Sequence, residues 1–342
     1  MKGFLSTSFR LLVNVESLNG IESIGNLSRH RTVPIVVSET GGYTIRYVPA
    51  VSGEAIGHAY QELLVRRAKE LGLPVGIYSS RGEFIKFTDD KFLEEEGVKP
   101  PKETGNLRKT ESQIMLKDLV CDIGGFLYAG EKPIKRTSRF QIGYMIPALE
   151  EVNASALEAQ FHVRHSISEM KKGTLGETRA QIPYNVEVGS AVYTFTFNLD
   201  IDGISKVSVA FGDPAEEEKE LESQRNARVK AALMAFVDLV STMGFGAKRS
   251  RFLPTIEPLG AVACISYSGP FIVSPGNSRW FIGDTARRAQ FYSEAMKKLG
   301  LERKIELLSF TKEPTEEKVE GVKALNSLEE LAQGIVETVL KA

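Results

Sequence analysis

Residues 193–201 read YTFTFNLDI, and this stretch decides the fold class. Every second side chain in it is apolar, namely Tyr193, Phe195, Phe197, Leu199 and Ile201. Such alternation is typical of a β-strand with one buried face. A helix with an apolar stripe over residues 215–243 follows, and residues 260–266, GAVACIS, predict another buried strand. These elements indicate a mixed α+β domain.

The N-terminal part of the chain supplies matching elements. Residues 9–15 alternate like a strand, and the alternation at residues 43–47 predicts part of a hairpin. Ser52 can cap a helix whose apolar residues recur at helical spacing until Gly72 and Pro74 end it. The major elements run β-α-β, then a further strand with an excursion, then β-α-β. Split β-α-β order of this kind points to a ferredoxin-like, or RRM-like, core with inserted lobes.

Several segments interrupt or extend this core. Residues 79–113 are polar and acidic and predict an insertion, whereas residues 116–130, LKDLVCDIGGFLYAG, predict a strand that ends in a glycine turn. Residues 159–166 predict a further strand. Residues 167–190 have few apolar side chains and several turn formers, which indicates a projecting excursion.

The C-terminal tail has elements of its own. A helix is predicted at residues 285–299, a strand at residues 304–310, and a helix that begins at Ser327, where Glu330 completes a capping box. We therefore divide the chain into four parts. They are an RRM-like palm (1–78, 114–166 and 191–280), an insertion (79–113), a thumb-like excursion (167–190) and a C-terminal α/β appendage (281–342).

Composition excludes several classes of protein. The 342 residues, 42% hydrophobic and 25% charged, are typical of a globular protein with one large or two ordinary domains. No apolar run reaches the roughly 18 residues of a membrane span, and no signal peptide is evident. We therefore expect a cytoplasmic protein without a membrane partner. Cys121 and Cys264 have no metal-binding spacing and indicate core thiols of a reducing compartment.

Charge is segregated along the chain although the net charge is only −1. Three windows contain no acid, namely residues 23–38, 132–149 and 243–256, and all three contain Lys or Arg. The third includes MGFGAKRSRFLP at residues 243–254, in which Gly244 and Gly246 precede three cations. Glycines allow a close approach of the backbone, so this loop suits a polyanion backbone better than a small neutral ligand.

Motifs for metal binding or catalysis are absent from the sequence. The spacing of His162 and His165 fits a metal pair neither on a strand nor on a helix, and we expect no metal or cofactor. Gly244 and Gly246 lack the third glycine and the strand–helix context of a dinucleotide fingerprint. Ser52 and Gly53 open a helix whose free N–H groups can bind a phosphate or be capped by the serine alone.

Several segments, in this order, carry a resemblance to one family. They are VNVESLNGIESIGNLSRHRT (13–32), YVPAVSGEAIGHAYQ (47–61), DIGGFLYAG (122–130), IKRTSRFQIGYMIPA (134–148) and MGFGAKRSRFLP (243–254). The chain resembles the backbone subunit of type I-A CRISPR Cascade, a DevR-type member of the seventh Cas protein group in the RAMP superfamily. The resemblance covers most of residues 1–280.

This resemblance implies an RRM-like palm and a projecting thumb hairpin. It also implies a non-catalytic scaffold that polymerises along CRISPR guide RNA (crRNA) in a helical filament, binds its sugar–phosphate backbone without reading sequence, and presents bases to target DNA in antiviral defence. The implied RNA-binding residues are Arg29, His30, Arg31, Ser52, Gly53, Lys135, Arg136, Ser138, Arg139, Gly244, Gly246, Lys248, Arg249 and Arg251. The implied thumb residues are Met170, Lys171 and Lys172.

The implied partners are guide RNA, the target DNA strand through the guide, further copies of the chain, and other Cascade subunits. These subunits are the RAMP protein that caps the guide 5′ end and the large and small subunits; a helicase-nuclease is a further partner. Met170 could wedge between bases or pack on a neighbouring subunit.

Two other functions remain open. One is a RAMP-type, metal-independent endoribonuclease that matures or cuts RNA with His30 or another histidine. The other is a repressor that binds duplex DNA, although no helix-turn-helix is evident. Type III relatives carry a catalytic Asp in the first loop, but residues 23–38 contain no acid, and Glu16 and Glu22 are the nearest ones. This departure favours a non-cleaving scaffold.

Overall fold

The computed structural model of the chain is built on a ten-stranded sheet. It describes residues 1–84, 89–165, 181–267, 269–302, 304–314 and 319–341. The strands are β1 (Phe4–Glu16), β2 (Gly20–Ile24), β3 (Leu27–His30), β4 (Thr32–Glu39), β5 (Gly42–Pro49), β6 (Phe126–Tyr128), β7 (Ile134–Arg136), β8 (Phe140–Ile142), β9 (Ile146–Pro147), β10 (Ala156–His165), β11 (Gln181–Asp200), β12 (Thr255–Ser266), β13 (Ile305–Thr311) and β14 (Val322–Leu325). The helices are α1 (Gly53–Glu70), α2 (Asp90–Glu95), α3 (Leu107–Lys117), α4 (Leu119–Gly124), α5 (Glu217–Thr242), α6 (Phe281–Lys298) and α7 (Leu328–Lys341).

β1 is the centre of the main sheet and lies between β11 and β12, antiparallel to both. The apolar face predicted for residues 193–201 is buried, and Phe195 stacks on Phe9 of β1 with ring centroids 4.8 Å apart. Helices α1 and α5 cover this face, where Phe236 of α5 packs on Phe197. The chain therefore has a mixed α+β fold in which two helices and a large sheet share one core.

A long hairpin extends from the main sheet. β10 pairs with the first half of β11 from Ala156 opposite Ser190 to His165 opposite Gln181. The predicted excursion at residues 167–190 thus includes ten residues, 181–190, that belong to a regular strand. Met170, Lys171 and Lys172, the predicted thumb residues, lie outside the described residues.

The region after α1 forms a small lobe with its own apolar cluster, to which the insertion contributes Leu93 and Val98. The strand predicted for residues 116–130 is wrong over most of its length, because α3 ends at Lys117 and α4 follows at once. The Asp118 carboxylate accepts a hydrogen bond from the Val120 N–H and so caps α4. A short buried apolar run fits a helix as well as a strand, so periodicity alone did not separate them.

The C-terminal segment is integrated into the main sheet more closely than the term appendage suggests. β13 pairs antiparallel with β12, and α7 packs on α5 and β12. Leu308, Leu331 and Ile335 lie in the same apolar cluster as the central strands. The predicted serine cap of α7 is confirmed, since the Ser327 hydroxyl accepts a hydrogen bond from the Glu330 N–H at 3.1 Å. The Glu330 carboxylate accepts from the Asn326 N–H at 2.9 Å, one residue before the position that a capping box predicts.

The structure also bears on the cysteines and on membrane-spanning segments. Cys121 and Cys264 are both buried as thiols, as predicted. Among the described residues, no helix combines the length and the hydropathy that a membrane span requires.

Replacing Leu331 with Ala tests the integration of the C-terminal segment. We expect a loss of about 2–5 kcal/mol in the free energy of unfolding, since the substitution leaves a cavity in the shared core. Thermal unfolding should stay a single transition that moves to lower temperature. The control is Leu340→Ala on the same helix, where the side chain is exposed. A separate early transition confined to the C-terminal segment would show that it folds independently.

Candidate nucleic-acid interface

Two loops that are distant in sequence meet at the end of β1. The Ala247 N–H donates a hydrogen bond to the Leu18 carbonyl at 2.7 Å, which joins the loop after α5 to the loop after β1. Gly246 has a φ of +82°, and a Cβ there would lie 2.6 Å from the Leu18 Cβ. Only glycine adopts this positive φ and allows this close approach to Leu18 without strain. The contact places the Lys248 ammonium beside Gly20.

The cations of the glycine-rich loop divide into two kinds. The Arg249 guanidinium donates to the carbonyls of Met243 and Phe245, so it caps the carboxyl end of α5. Lys248 and Arg251 make no ion pair among the described residues. Burial and the nearby charge of Arg251 lower the pKa of Lys248. Two neighbouring cations without a carboxylate provide a favourable position for an anion.

Asn19 connects the first loop to the start of α1. Its side-chain carbonyl accepts hydrogen bonds from Nε of Arg31 at 2.9 Å and from the Ser52 N–H at 2.8 Å. Ser52 caps α1 through its hydroxyl as predicted, with Ala55 as the donor. Gly53 packs so closely on the Ile142 carbonyl that a Cβ would lie 2.3 Å from that oxygen.

The structure therefore brings together three of the four predicted RNA-binding segments. We call this cluster the basic interface and define it as Asn19, Arg29, Arg31, Ser52, Gly53, Gly244, Gly246, Lys248 and Arg251. Arg29 lies at its rim, where it forms a half-exposed ion pair with Glu22 at 3.4 Å. Asn19 was missed in the sequence because its two hydrogen-bond donors are 12 and 33 residues away.

An aromatic contact anchors the glycine-rich loop to the long hairpin. Phe252 packs edge-on against His162 of β10, with ring centroids 5.3 Å apart. His162 stacks in turn on Tyr184 of β11 at 5.3 Å. The Arg251 guanidinium lies 3.5 Å from the Tyr184 hydroxyl, so the hairpin forms one side of the basic interface.

His30 does not face solvent, which contradicts the expectation that it contacts RNA. Its Nε2 lies 2.8 Å from the Glu16 carboxylate, and its Nδ1 lies 2.8 Å from the Arg31 carbonyl. Both side chains are fully buried. Since both ring nitrogens are engaged, His30 also loses its place as the candidate base of an endoribonuclease.

The surroundings of His30 favour its charged form. Burial alone would lower the pKa of His30, but the hydrogen bond and charge of Glu16 outweigh it, so the pKa is raised. Both neighbours of the ring are acceptors, which favours the doubly protonated imidazolium. Glu16 also accepts hydrogen bonds from the Tyr193 hydroxyl and the Leu18 N–H, each at 2.8 Å.

The fourth predicted segment lies elsewhere in the molecule. Arg139 is paired with Asp200, which lies opposite the start of β1. Gly189, opposite Glu16, is eleven residues away along β11, or roughly 35 Å at the rise of a strand. Lys135 is exposed on β7 in the small lobe. This segment therefore does not join the basic interface.

Arg136 and Ser138 serve the fold rather than a ligand. The Arg136 side chain is fully buried and forms ion pairs with Glu111 at 3.0 Å and with Asp122 at 2.6 Å. Arg228 of α5 binds the same Asp122 at 3.0 Å, so the network joins the small lobe to the core. The Ser138 hydroxyl donates to the Phe140 carbonyl at 2.7 Å. These contacts contradict the RNA-binding role expected for Arg136.

Comparison with known proteins identifies the family of the chain. The family described as "CRISPR-associated negative auto-regulator DevR/Csa2" matches residues 7–286. The chain belongs to this family. The protein named CRISPR-associated aCascade subunit Cas7/Csa2 2 from Saccharolobus solfataricus is 50% identical over 286 residues, covering 83% of this chain and 86% of the relative. A second Saccharolobus solfataricus protein, Cas7/Csa2 1, is 39% identical and covers 80% and 81%.

Solved structures show a similar fold. The DevR/Csa2-family chain aligns over 98% of its length with 99% of a chain from a "CRISPR RNA-guided surveillance complex, pre-nicking", with a TM-score of 0.50 and 11% identity. At this identity the likeness concerns the fold. Among the residues that the structure describes in this DevR/Csa2-family chain, no three His, Cys, Asp or Glu side chains are grouped to hold a metal ion.

Arg136 and Lys135, adjacent in the family chain, should behave in opposite ways. Arg136→Met leaves Glu111 and Asp122 buried without their shared cation, and we expect a loss of about 3–5 kcal/mol in the free energy of unfolding. Lys135→Met, at the exposed neighbour, should change it by less than about 0.5 kcal/mol. Urea denaturation measures both. Equal stability of the two variants would contradict the structural role of Arg136.

The raised pKa of His30 predicts how stability varies with pH. The folded state binds the proton more tightly than the unfolded state, whose histidine pKa is about 6.5. The stabilisation is therefore complete below that value and is lost as the pH rises through the raised folded pKa. Denaturation from pH 5.5 to 9 should show this loss in the wild type and a flatter profile in Glu16→Gln. Parallel profiles would contradict the raised pKa of His30.

Proposed function

We propose that the chain is the backbone subunit of a type I-A Cascade complex and binds guide RNA through its sugar–phosphate backbone. The observation that carries the proposal is the convergence of Arg31, Lys248 and Arg251 at a glycine-lined surface where no carboxylate pairs with them among the described residues. Cations that are not neutralised by a carboxylate can bind the phosphates of a polyanion and release its counterions. The name of the relative that is 50% identical, an aCascade subunit, supports the same role.

The RRM-like palm is part of this proposal. The order β12–β1–β11 with β8 beside β11, all antiparallel, is the strand arrangement that a split β-α-β core requires. α1 and α5 pack side by side on one face of it. In this interpretation the basic interface lies at the end of the central strand β1, and the hairpin of β10 and β11 corresponds to the thumb.

Binding at the basic interface is independent of base sequence. Contacts to phosphate and sugar fix position but carry no sequence information. Specificity then comes from pairing of the guide with target DNA, as in other RNA-guided systems. The partners that follow are further copies of the chain, the RAMP subunit at the guide 5′ end, the large and small subunits and a helicase-nuclease, all in the cytoplasm.

A scaffold role without catalysis fits the chemistry of the first loop. Glu16 and His30 are turned inward and bind each other, and Glu22 is paired with Arg29. The Glu16–His30 pair is buried, so neither group is placed to activate a ribose hydroxyl. The geometry therefore favours the scaffold over the endoribonuclease.

Neutralising the basic interface tests the proposal. Lys248→Gln combined with Arg251→Gln removes two phosphate contacts, so the slope of log affinity against log salt for single-stranded RNA should fall by about 1.4. Fluorescence anisotropy at several salt concentrations measures it. The matched control, Lys132→Gln with Lys135→Gln, removes two cations of the small lobe and should leave the slope unchanged.

The control variant also shows which result would contradict the proposal. A lower slope in the Lys132/Lys135 variant and an unchanged slope in the Lys248/Arg251 variant would place the RNA on the small lobe. A wild type that binds RNA with no salt dependence would contradict backbone binding altogether. Arg249→Gln is expected to weaken RNA binding only indirectly, by disturbing the conformation of the loop, because the Arg249 guanidinium caps α5.

A further inference from the structure

A cavity of about 580 Å³ lies between the start of α6 and the β13–β14 end of the main sheet, on the face opposite α1 and α5. Its floor includes Ser309 and Thr311 of β13 and Ala324 of β14. The volume is within the roughly 300–1,000 Å³ of small-molecule sites. The cavity is remote from the basic interface. Across β12, Ser309 is in register with Ser8, which precedes Glu16 on β1 by eight residues, or roughly 26 Å.

No side chain of the described residues caps the first turn of α6. Trp280 holds the cap position, and its indole offers no acceptor to the free N–H groups at this end. The N–H groups of Ile282 and Gly283, which line the cavity, likewise have no acceptor in the part of the chain that the structure describes. The Arg287 guanidinium lies beside them, since a Cβ on Gly283 would be 3.8 Å from its Nη1. The helix dipole and this cation together favour a negatively charged group here.

A buried hydroxyl faces the same cavity. Ser309 is only 5% exposed, and its side chain points to the α6 side of the sheet with that of Leu307, because side chains alternate along a strand. Its hydroxyl forms no hydrogen bond with any other described residue. The Thr311 hydroxyl, by contrast, donates to the Leu259 carbonyl and accepts from the Glu313 N–H. A buried hydroxyl without a partner is unfavourable, so the position of Ser309 suits an acceptor on a ligand.

The charges around the cavity are nearly balanced. Arg279 and Arg287 line it together with one acid, Asp284, which lies 2.5 Å from Arg287. Arg279 approaches Glu150 and Glu151 only to 3.7 and 3.9 Å, beyond hydrogen-bond distance. Two cations and one carboxylate give the lining a net charge of +1. This charge suits a ligand with one phosphate group better than a triphosphate.

An aromatic side chain and a second hydroxyl complete the lining. Trp280 is 42% exposed, so its indole can stack on a planar ring in the cavity. The Ser278 hydroxyl accepts a hydrogen bond from the Trp280 N–H at 3.3 Å, which leaves its own proton to donate. A bare phosphate ion would use these donors but neither the indole nor most of the volume. A nucleotide uses all three.

We propose that the cavity at the start of α6 binds a nucleoside monophosphate. The phosphate accepts hydrogen bonds from the N–H groups of Ile282 and Gly283 and from the Ser309 hydroxyl, and the base stacks on Trp280. A free nucleotide and the phosphorylated 5′ end of a nucleic-acid strand share this chemistry. The inference goes beyond the proposed function, because the cavity is separate from the basic interface and does not require RNA to be bound there.

The fluorescence of Trp280 tests the proposal on the full chain, because it is the only tryptophan in the sequence. AMP should quench its emission saturably when excitation is at the red edge of indole absorption, where adenine does not absorb. Adenosine lacks the phosphate and should bind at least about tenfold more weakly, since it forfeits charge-assisted hydrogen bonds. ATP should also bind more weakly than AMP, because its additional phosphates meet no further cation.

Variants identify the groups that hold the nucleotide. Ser309→Ala should raise the dissociation constant for AMP at least about tenfold without lowering the thermal stability of the free chain, where this hydroxyl has no partner among the described residues. Trp280→Leu should raise it at least about fivefold, as measured by calorimetry. Ser293→Ala is the matched control, about 15 Å beyond Gly283 on the same helix, and should bind AMP as the wild type does.

A 5′-phosphorylated oligonucleotide distinguishes the two sources of the nucleotide. It is titrated into Lys248→Gln with Arg251→Gln, so that the basic interface does not hold the strand. Quenching by AMP assigns the cavity to free nucleotide, and quenching by the oligonucleotide alone assigns it to a strand end. Either result supports the proposal if Ser309→Ala, added to the same variant, weakens the binding.

Four results would overturn the proposal. They are no quenching by either ligand, equal affinity for AMP and adenosine, unchanged affinity in Ser309→Ala, and loss of AMP binding in Lys248→Gln with Arg251→Gln. The last result would place the nucleotide at the basic interface. Failure of the proposed function has a different signature, because AMP would then still bind to a chain that does not bind RNA.

Discussion

A single buried carboxylate at the end of β1 determines the position of the basic interface. Glu16 accepts hydrogen bonds from the Tyr193 hydroxyl and the Leu18 N–H and binds the imidazole of His30. These contacts fix both ends of the loop that contains Asn19. A buried carboxylate without such partners would be strongly unfavourable, so the three donors and the loop conformation stabilise one another. The contacts of Leu18 with Ala247 and of Asn19 with Arg31 then follow from this one site.

Local patterns predicted much of the fold because their causes are local. The alternation at residues 193–201 and the capping serines Ser52 and Ser327 describe interactions within a few residues, and each is present as expected. The apolar run at residues 116–124 gave the wrong element, since a short buried helix and a short buried strand have the same composition. The addition of β13 to the sheet was also missed, because its pairing with β12 is not encoded in either segment alone.

The difference between local and long-range interactions also explains which parts of the candidate site could be predicted from the sequence. Acid-free windows located the cations of the basic interface, but they could not separate Lys135, which is exposed, from Arg136, which is buried. The partners of Arg136 are 25 and 14 residues away in sequence, on α3 and α4. Charge patterns therefore identify segments that can face an anion, whereas burial decides which cations in them neutralise the protein's own carboxylates.

α5 explains how a chain with a net charge of −1 can present a cationic surface. Its first turn carries Glu217 and Glu218, which bind Gln113 and Arg108 of α3. The basic loop begins at the other end of its 26 residues, about 39 Å away at the rise of an α-helix. At physiological ionic strength the Debye length is about 8 Å, so those carboxylates cannot screen Lys248 and Arg251 from a phosphate. The acids also match the positive end of the helix dipole, and the Arg249 guanidinium caps the opposite end. α5 thus separates the acidic side chains of its first turn from the basic loop after its last turn, and both groups stabilise the helix. For this reason the net charge of the whole chain does not indicate whether it binds RNA.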